Sequence, residues 1–179
     1  DSANTDLTIT VTVNDLTLAI GSGQSFALSE TASDGDSVGT VTLSADTAVA
    51  WSLLSNGADA DGDGTSPFSI SSSGVISLSD SGDINFETTT SYSLNVLATN
   101  FDESDIKAVT ITVTNIAPTI TDDDTGTVSE TAANGATVVD LANTGDDDGI
   151  TWSITAGNLN PDGDGNSVFA INSGTGVIT

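Results

Sequence analysis

The stretch Asp59-Ala60-Asp61-Gly62-Asp63-Gly64 sets oxygen-bearing side chains at alternate positions and closes with glycine. Alternate side chains in a short loop can point to one side, and glycine permits the tight turn this requires. Calcium takes six to eight oxygens at about 2.3–2.6 Å, so the pattern suits a hard cation. It returns as Asn160-Pro161-Asp162-Gly163-Asp164-Gly165. The expected ligands are Asp59, Asp61 and Asp63 in one copy and Asn160, Asp162 and Asp164 in the other. The same residues also suit an ordinary polar turn, because Asp-Gly pairs turn without metal. Each copy follows a predicted tryptophan-containing strand (Trp51, Trp152) and precedes a predicted Phe-x-Ile strand, Phe68-Ser69-Ile70 or Phe169-Ala170-Ile171.

Charge strengthens the cation reading. The chain has 26 acidic residues and one base, Lys107, for a formal net charge of −25. Such a chain repels nucleic acid and anionic lipid, so neither is an expected partner. The bland alternative is a solubilising or salt-adapted surface. However, the acids gather in loops, as at Asp122-Asp123-Asp124 and Asp146-Asp147-Asp148. Two carboxylates about 4 Å apart repel by about 1 kcal/mol in water and about 4 kcal/mol near a protein surface. A divalent ion would offset that repulsion.

Other chemistry is missing. With no His and no Cys, most nucleophile–base pairs, thiol zinc sites and disulfides are excluded. Paired carboxylates can hydrolyse glycosides, but these lie in Gly-rich loops without an apolar pocket to raise one pKa. The chain is expected not to be an enzyme. No apolar run approaches the ~20 residues of a membrane span, so direct membrane insertion is not expected.

The elements that must hold these loops are strands. Residues 8–13 read Thr-Ile-Thr-Val-Thr-Val, predicting a half-buried strand with Ile9, Val11 and Val13 inward. Further short strands are predicted at 38–43, 48–53, 68–70, 75–78, 91–98 and 109–114, separated by turn signals such as Asn56-Gly57, Ser73-Gly74 and Ser81-Gly82. Glu30, Trp51 and Phe68 recur about 100 residues later as Glu130, Trp152 and Phe169. A repeat of that length is a whole domain. The fold class is therefore all-β, built of tandem Greek-key β-sandwich repeats of about 100 residues. Residues 1–15 read as the last strand of a preceding repeat, 16–117 as a complete repeat, and 118–179 as the N-terminal part of a second, lacking its last strands.

Taken in order, these motifs resemble the cadherin-like tandem repeats of bacterial and archaeal cell-surface proteins, the large calcium-dependent adhesins among them. The resemblance rests on Ser29-Glu30 and Ser129-Glu130, on Trp51-Ser52-Leu53 and Trp152-Ser153-Ile154, and on Ser73-Gly74-Val75-Ile76 and Thr175-Gly176-Val177-Ile178. It extends through Asn85-Phe86-Glu87, the run from Tyr92 to Asn100, and Ile111-Thr112-Val113-Thr114-Asn115. The resemblance implies calcium at the junction of repeats, shared by a strand Glu (Glu30), an Asp-x-Glu turn (Asn85 and Glu87) and an Asp-x-Asp loop of the next repeat (Asp146 and Asp148). Asn85 stands where the family has Asp, and the linker Asn115-Ile116-Ala117-Pro118 lacks the family's carboxylates. Those departures point to one or two ions and not three. The 59–64 loop also resembles the start of an EF-hand, but the twelfth position holds Ile70 where that loop needs Glu, and no flanking helices are evident.

The implied function is a non-catalytic, calcium-stiffened repeat segment of an extracellular surface protein or adhesin, whose partners are calcium and neighbouring repeats of the same or an identical chain. Two alternatives stay open. The chain could be a subunit of a surface layer or filament, its half-repeat completed by strand exchange. It could instead bind cell-surface glycans by stacking them on Trp51 and Trp152, although alternation with Ser favours core packing for both rings.

Overall fold

The computed structural model describes residues 8–48, 50–121, 125–146 and 149–179. Among the described residues, thirteen strands follow in chain order: β1 (Ala19–Ile20), β2 (Ser25–Ser29), β3 (Ser37–Thr40), β4 (Leu43–Ala45), β5 (Ala50–Ser55), β6 (Phe68–Ile70), β7 (Val75–Leu78), β8 (Ser91–Thr99), β9 (Ser104–Thr114), β10 (Thr119–Ile120), β11 (Val139–Asp140), β12 (Asn143–Thr144) and β13 (Val177–Ile178). The one helical element among the described residues is a 3-10 turn at Ser81–Asp83. The chain divides into two compact units. The first takes in Asp1–Ala27, Ser33–Asp83 and Ser91–Thr112; the second takes in Leu28–Ala32, Ile84–Thr90 and Val113–Thr179.

In the first unit, a four-stranded sheet runs in the order β2-β9-β8-β5 and a three-stranded sheet in the order β3-β7-β6. Alternation along the central strands explains why they face each other. Tyr92, Leu94, Val96 and Ala98 of β8 are buried while Ser91, Ser93 and Asn95 are exposed. Val109 and Ile111 of β9 continue the apolar face, and Phe68, Ile76 and Leu78 supply the opposite one. Fully burying one such side chain stabilises by about 1.5–3 kcal/mol. The Phe68 and Tyr92 rings meet edge-to-face across the sheets, their centroids 5.1 Å apart. Phe26 of β2 lies over Gly39 of β3, where a Cβ would come within 2.3 Å of the ring. The result is an antiparallel β-sandwich whose chain crosses between the sheets from β2 to β3, from β5 to β6 and from β7 to β8, as Greek-key connections do.

Several strand bounds differ from the sequence reading, each for a definable reason. The segment 38–43 is two strands. β3 pairs with β7 and β4 with β1, so the chain changes partners at Val41 and Thr42. The Gln24 side chain fills that gap, accepting the Thr42 N–H at 2.8 Å and donating to the Thr42 carbonyl at 3.0 Å. β9 begins at Ser104, because Ser104 to Lys107 pair with the far end of β8. β1 has only two residues and no alternation to betray it. Residues 8–13 form no strand, and Ile9, Val11 and Val13 are exposed. The half-buried reading of that segment is corrected: alternation needs a sheet to pair with, and no described strand supplies one.

The second unit is sparser. β10 pairs with β12 and β11 with β13, each antiparallel, with a single bridge from Ile171 to Ile178. Trp152 is buried, its ring against the Gly176 turn. The expected Phe169 strand is reduced to a short pairing with the 177–179 segment, where Ala170 and Thr179 exchange N–H bonds at 2.9 Å, and the expected Trp152 strand joins no described ladder. In the first repeat β5 pairs with β8, and 118–179 contains no second copy of the β8 sequence.

Candidate metal centre

The 59–64 loop folds on its own carboxylates. Asp59 accepts the N–H groups of Gly62 at 2.7 Å and Gly64 at 2.9 Å. Asp61 accepts the Asp63 N–H at 3.1 Å, and Asp63 accepts the Thr65 N–H at 2.6 Å. Gly62 and Gly64 sit at φ +79° and +94°, conformations that a side chain would strain. Such Asx turns need only local sequence.

What lies behind the loop was not singled out from the sequence. The turn after β7 carries Asp80 and Asp83, both buried, Asp83 with only 2% of its surface exposed. One oxygen of Asp83 accepts the N–H groups of Ala60 and Asp61. Among the described residues its Oδ2 accepts nothing, and neither does Oδ2 of Asp80, although both are buried. Oδ1 of Asp80 accepts the Gly82 N–H at 2.9 Å. Leaving a buried acceptor unpaired costs about 1–3 kcal/mol, and more when it is charged. The turn is pinned from two sides. The Tyr92 hydroxyl donates to the Asp83 carbonyl at 2.6 Å, and the Ser81 N–H donates to Asp34 at 2.7 Å.

These acids converge in two sets. Asp59, Asp61 and Asp83 each bring one oxygen within 4.8 Å of the others, and so do Asp61, Asp63 and Asp80. The loop's three aspartates are thus divided between two sets that share Asp61, and each set takes its third member from the turn after β7. A Cβ at Gly82 would lie 2.6 Å from Oδ2 of Asp61 and 3.1 Å from Oδ1 of Asp80, so any side chain there would fill the cradle. The Gly82 N–H pulls the Asp80 carboxyl down, but burial and the negative charges of Asp63, Asp61 and Asp83 outweigh it and hold the carboxyl above its ordinary value. Hard oxygens, two of them buried and unpartnered, fit a calcium-class ion.

A third set lies in the second unit. Glu30, Glu87 and Asp146 bring carboxylate oxygens within 4.8 Å of one another. Glu30 accepts the N–H groups of Ile116 and Phe86, and Glu87 accepts from the Asn115 side chain at 3.0 Å. Asn85 accepts the Thr88 N–H at 2.9 Å and so caps the turn that presents Glu87. Asp146 is tied by its N–H to the Ile116 carbonyl at 3.2 Å. Asp148 lies outside the described residues, as do Asp122, Asp123, Asp124 and Asp147.

The second loop copy forms the same turns, and no described acidic set includes it. Asn160 accepts the Gly163 N–H at 3.0 Å, Asp162 accepts the Asp164 N–H at 3.3 Å, and Asp164 accepts from both the backbone and side chain of Asn166. All three side chains are exposed, and no described carboxylate joins them in a set. The side chain of Asn166, more than its backbone N–H, holds the Asp164 carboxyl below its ordinary value. Lys107, the chain's one cationic side chain, pairs with Asp105 at 3.1 Å. Both tryptophans pack on glycine turns: a Cβ at Gly74 would lie 3.1 Å from the Trp51 ring, and one at Gly176 2.9 Å from the Trp152 ring. Asp80 and Asp83 were missed because about 20 residues separate them from the loop; the available signal was their i, i+3 spacing around Ser81-Gly82 directly after an apolar strand.

No family model matches the chain, and no curated protein matches it. The solved structures that the chain matches include cadherin extracellular domains, each with a TM-score below 0.5. Human protocadherin-24 EC1-2 is 16% identical over 93% of this chain and 77% of its own, with a TM-score of 0.48. Mouse cadherin-23 EC22-24 is 20% identical over 94% of this chain and 55% of its own, with a TM-score of 0.43. Drosophila N-cadherin EC1-3 is 22% identical over 55% of this chain, with a TM-score of 0.43, and the match spans 34% of that chain. No described helix is long and apolar enough to cross a membrane.

Proposed function

We propose that this chain is a non-catalytic repeat segment of an extracellular, adhesion-type surface protein, of the kind carried by bacteria and archaea, and that calcium stiffens it. The observation that carries this reading is the convergence of Glu30, Glu87 and Asp146. Glu30 and Glu87 belong to the first sequence repeat and Asp146 to the second. Calcium bound there would supply the positive charge that the chain itself lacks. The chain's own groups hold the acids in place: Glu30 ties the backbone at Phe86 and Ile116, and Asn115 holds Glu87. Asn85, and Asp148 of the same loop as Asp146, complete the proposed oxygen set. Without the ion, three carboxylates repel across this linker; with it they share one partner.

Extracellular calcium modules bind with dissociation constants of about 10⁻⁴–10⁻³ M, so the ion would respond to the medium outside a cell. Partners on this reading are calcium and neighbouring repeats. Small-angle scattering tests it. The wild-type chain should become more extended and less flexible in millimolar calcium than in chelator, and Glu87→Gln should abolish most of that change. Superimposable wild-type curves in the two conditions would contradict the proposal.

A further inference from the structure

We propose that Asp80 and Asp83 close a paired calcium site beneath the 59–64 loop, with Asp61 common to both ions. One set is Asp59, Asp61 and Asp83; the other is Asp61, Asp63 and Asp80. The site lies within the first unit and shares no residue with Glu30, Glu87 and Asp146, so it stands independently of the function proposed above.

An acidic loop alone would carry nothing, since its carboxylates cap its own turns. The independent observation is the pair of buried oxygens, Oδ2 of Asp80 and Oδ2 of Asp83, that take no hydrogen bond from any described residue. Each belongs to a side chain more than nine-tenths buried that joins one of the two sets. Native folds pair such atoms with a donor, water or an ion. No described side-chain cation is at hand, because Lys107, the chain's one base, is committed to Asp105. The second oxygen of each acid is already used to build the site: Asp83 holds the loop backbone at Ala60 and Asp61, and Asp80 holds its own turn at Gly82. Loop and floor are therefore positioned before an ion arrives, and Gly82 keeps the space between Asp61 and Asp80 open.

The donor set selects the ion. It offers carboxylate oxygen and neither nitrogen nor sulfur, which favours hard cations over zinc or copper. Several carboxylates crowding each ion suit the high and flexible coordination of calcium. Magnesium keeps its waters and takes one or two carboxylates.

Thermal unfolding and calcium calorimetry test the site, both carried out in a Glu87→Gln background so that the other cluster contributes nothing. In chelator, Asp80→Asn and Asp83→Asn should unfold at or above the temperature of the parent, because each removes one crowded charge. In millimolar calcium the parent should gain stability, each variant should lose most of that gain, and calcium affinity should fall at least tenfold. Terbium emission excited through Tyr92, the chain's one tyrosine and hydrogen-bonded to Asp83, should survive Glu87→Gln and fall in Asp83→Asn. If Asp83→Asn does not fold, Asp80→Asn carries the same test. Variants that gain as much from calcium as the parent, or that are weakened equally in calcium and chelator, overturn the proposal. An equal shift from magnesium at the same concentration overturns the assignment to calcium.

Discussion

The loops at 59–64 and 160–165 have nearly the same backbone and opposite surroundings. Gly62 and Gly163 sit at φ +79° and +72°, Gly64 and Gly165 at +94° and +92°. Asp59 and Asn160 cap the glycine three residues on in the same way. Yet the first loop rests on Asp80 and Asp83, whereas no described acid joins the second. Counterparts of Asp80 and Asp83, about 100 residues on, would fall past residue 179 of this sequence. The turn thus forms from local chemistry alone, and on the proposal above the capacity to hold an ion would come from what is packed behind it. A duplicated motif is evidence of a duplicated turn; it becomes evidence of a duplicated site only where the floor is duplicated too.

The comparison predicts unequal responses. The largest is to calcium itself. With dissociation constants of about 10⁻⁴–10⁻³ M, about 10 mM calcium stabilises by about 1.4–2.7 kcal/mol per ion. Two ions in the first unit should then raise its unfolding temperature by about 10 °C or more relative to chelator. Asp61→Asn removes the shared negative charge and should abolish most of that rise, as read by calorimetric scanning.

Packing substitutions come next and should not respect the difference between the loops. Gly39→Ala would drive a methyl into the Phe26 ring and should destabilise by about 1–3 kcal/mol. Gly74→Ala and Gly176→Ala each add both a left-handed strain, at φ +80° and +75°, and a clash with their tryptophan. Both should weaken their own unit, by about 1–3 kcal/mol, with the same cost in calcium and chelator in a denaturant titration. A calcium-dependent cost at Gly176 would mean that the second copy binds after all.

A smaller effect concerns Asp105. The Ile20 N–H at 2.8 Å, aided by Lys107, holds its carboxyl below the ordinary value of 3.8 against the opposing effect of burial. A depressed acid binds protons more weakly folded than unfolded. Its contribution is therefore present above about pH 4 and is lost as pH falls through the folded value. Asp105→Asn should cost about 1 kcal/mol near neutral pH and flatten the acid limb of the stability profile, as measured by urea unfolding at several pH values. The smallest effect is expected at Asp162→Asn, which should change neither calcium affinity nor stability by more than about 0.5 kcal/mol.

Much of the sandwich was legible because its central strands alternate cleanly. The predicted 68–70 and 75–78 strands coincide with β6 and β7, and 91–98 differs from β8 by one residue. Alternation misled at residues 8–13, because a pattern names a face without naming the sheet that covers it. It was silent on β1 and on the break between β3 and β4, where the Gln24 side chain stands in for a ladder. The candidate site was half legible. Asp59, Asp61 and Asp63 stand out as a run, and Glu30 and Glu87 through family resemblance. Asp80 and Asp83 carry only their spacing around Ser81-Gly82 as a local signature; what distinguishes them is burial, and burial depends on which strands the turn joins.

The most direct test is a crystal structure of this chain grown in calcium, with the ions located by anomalous scattering. The account predicts two peaks beneath the 59–64 loop, one within bonding distance of Asp83 and the other of Asp80, both within reach of Asp61, and none in the 160–165 loop. Ions bound equally at both loops, or none near Asp80 and Asp83, would contradict it.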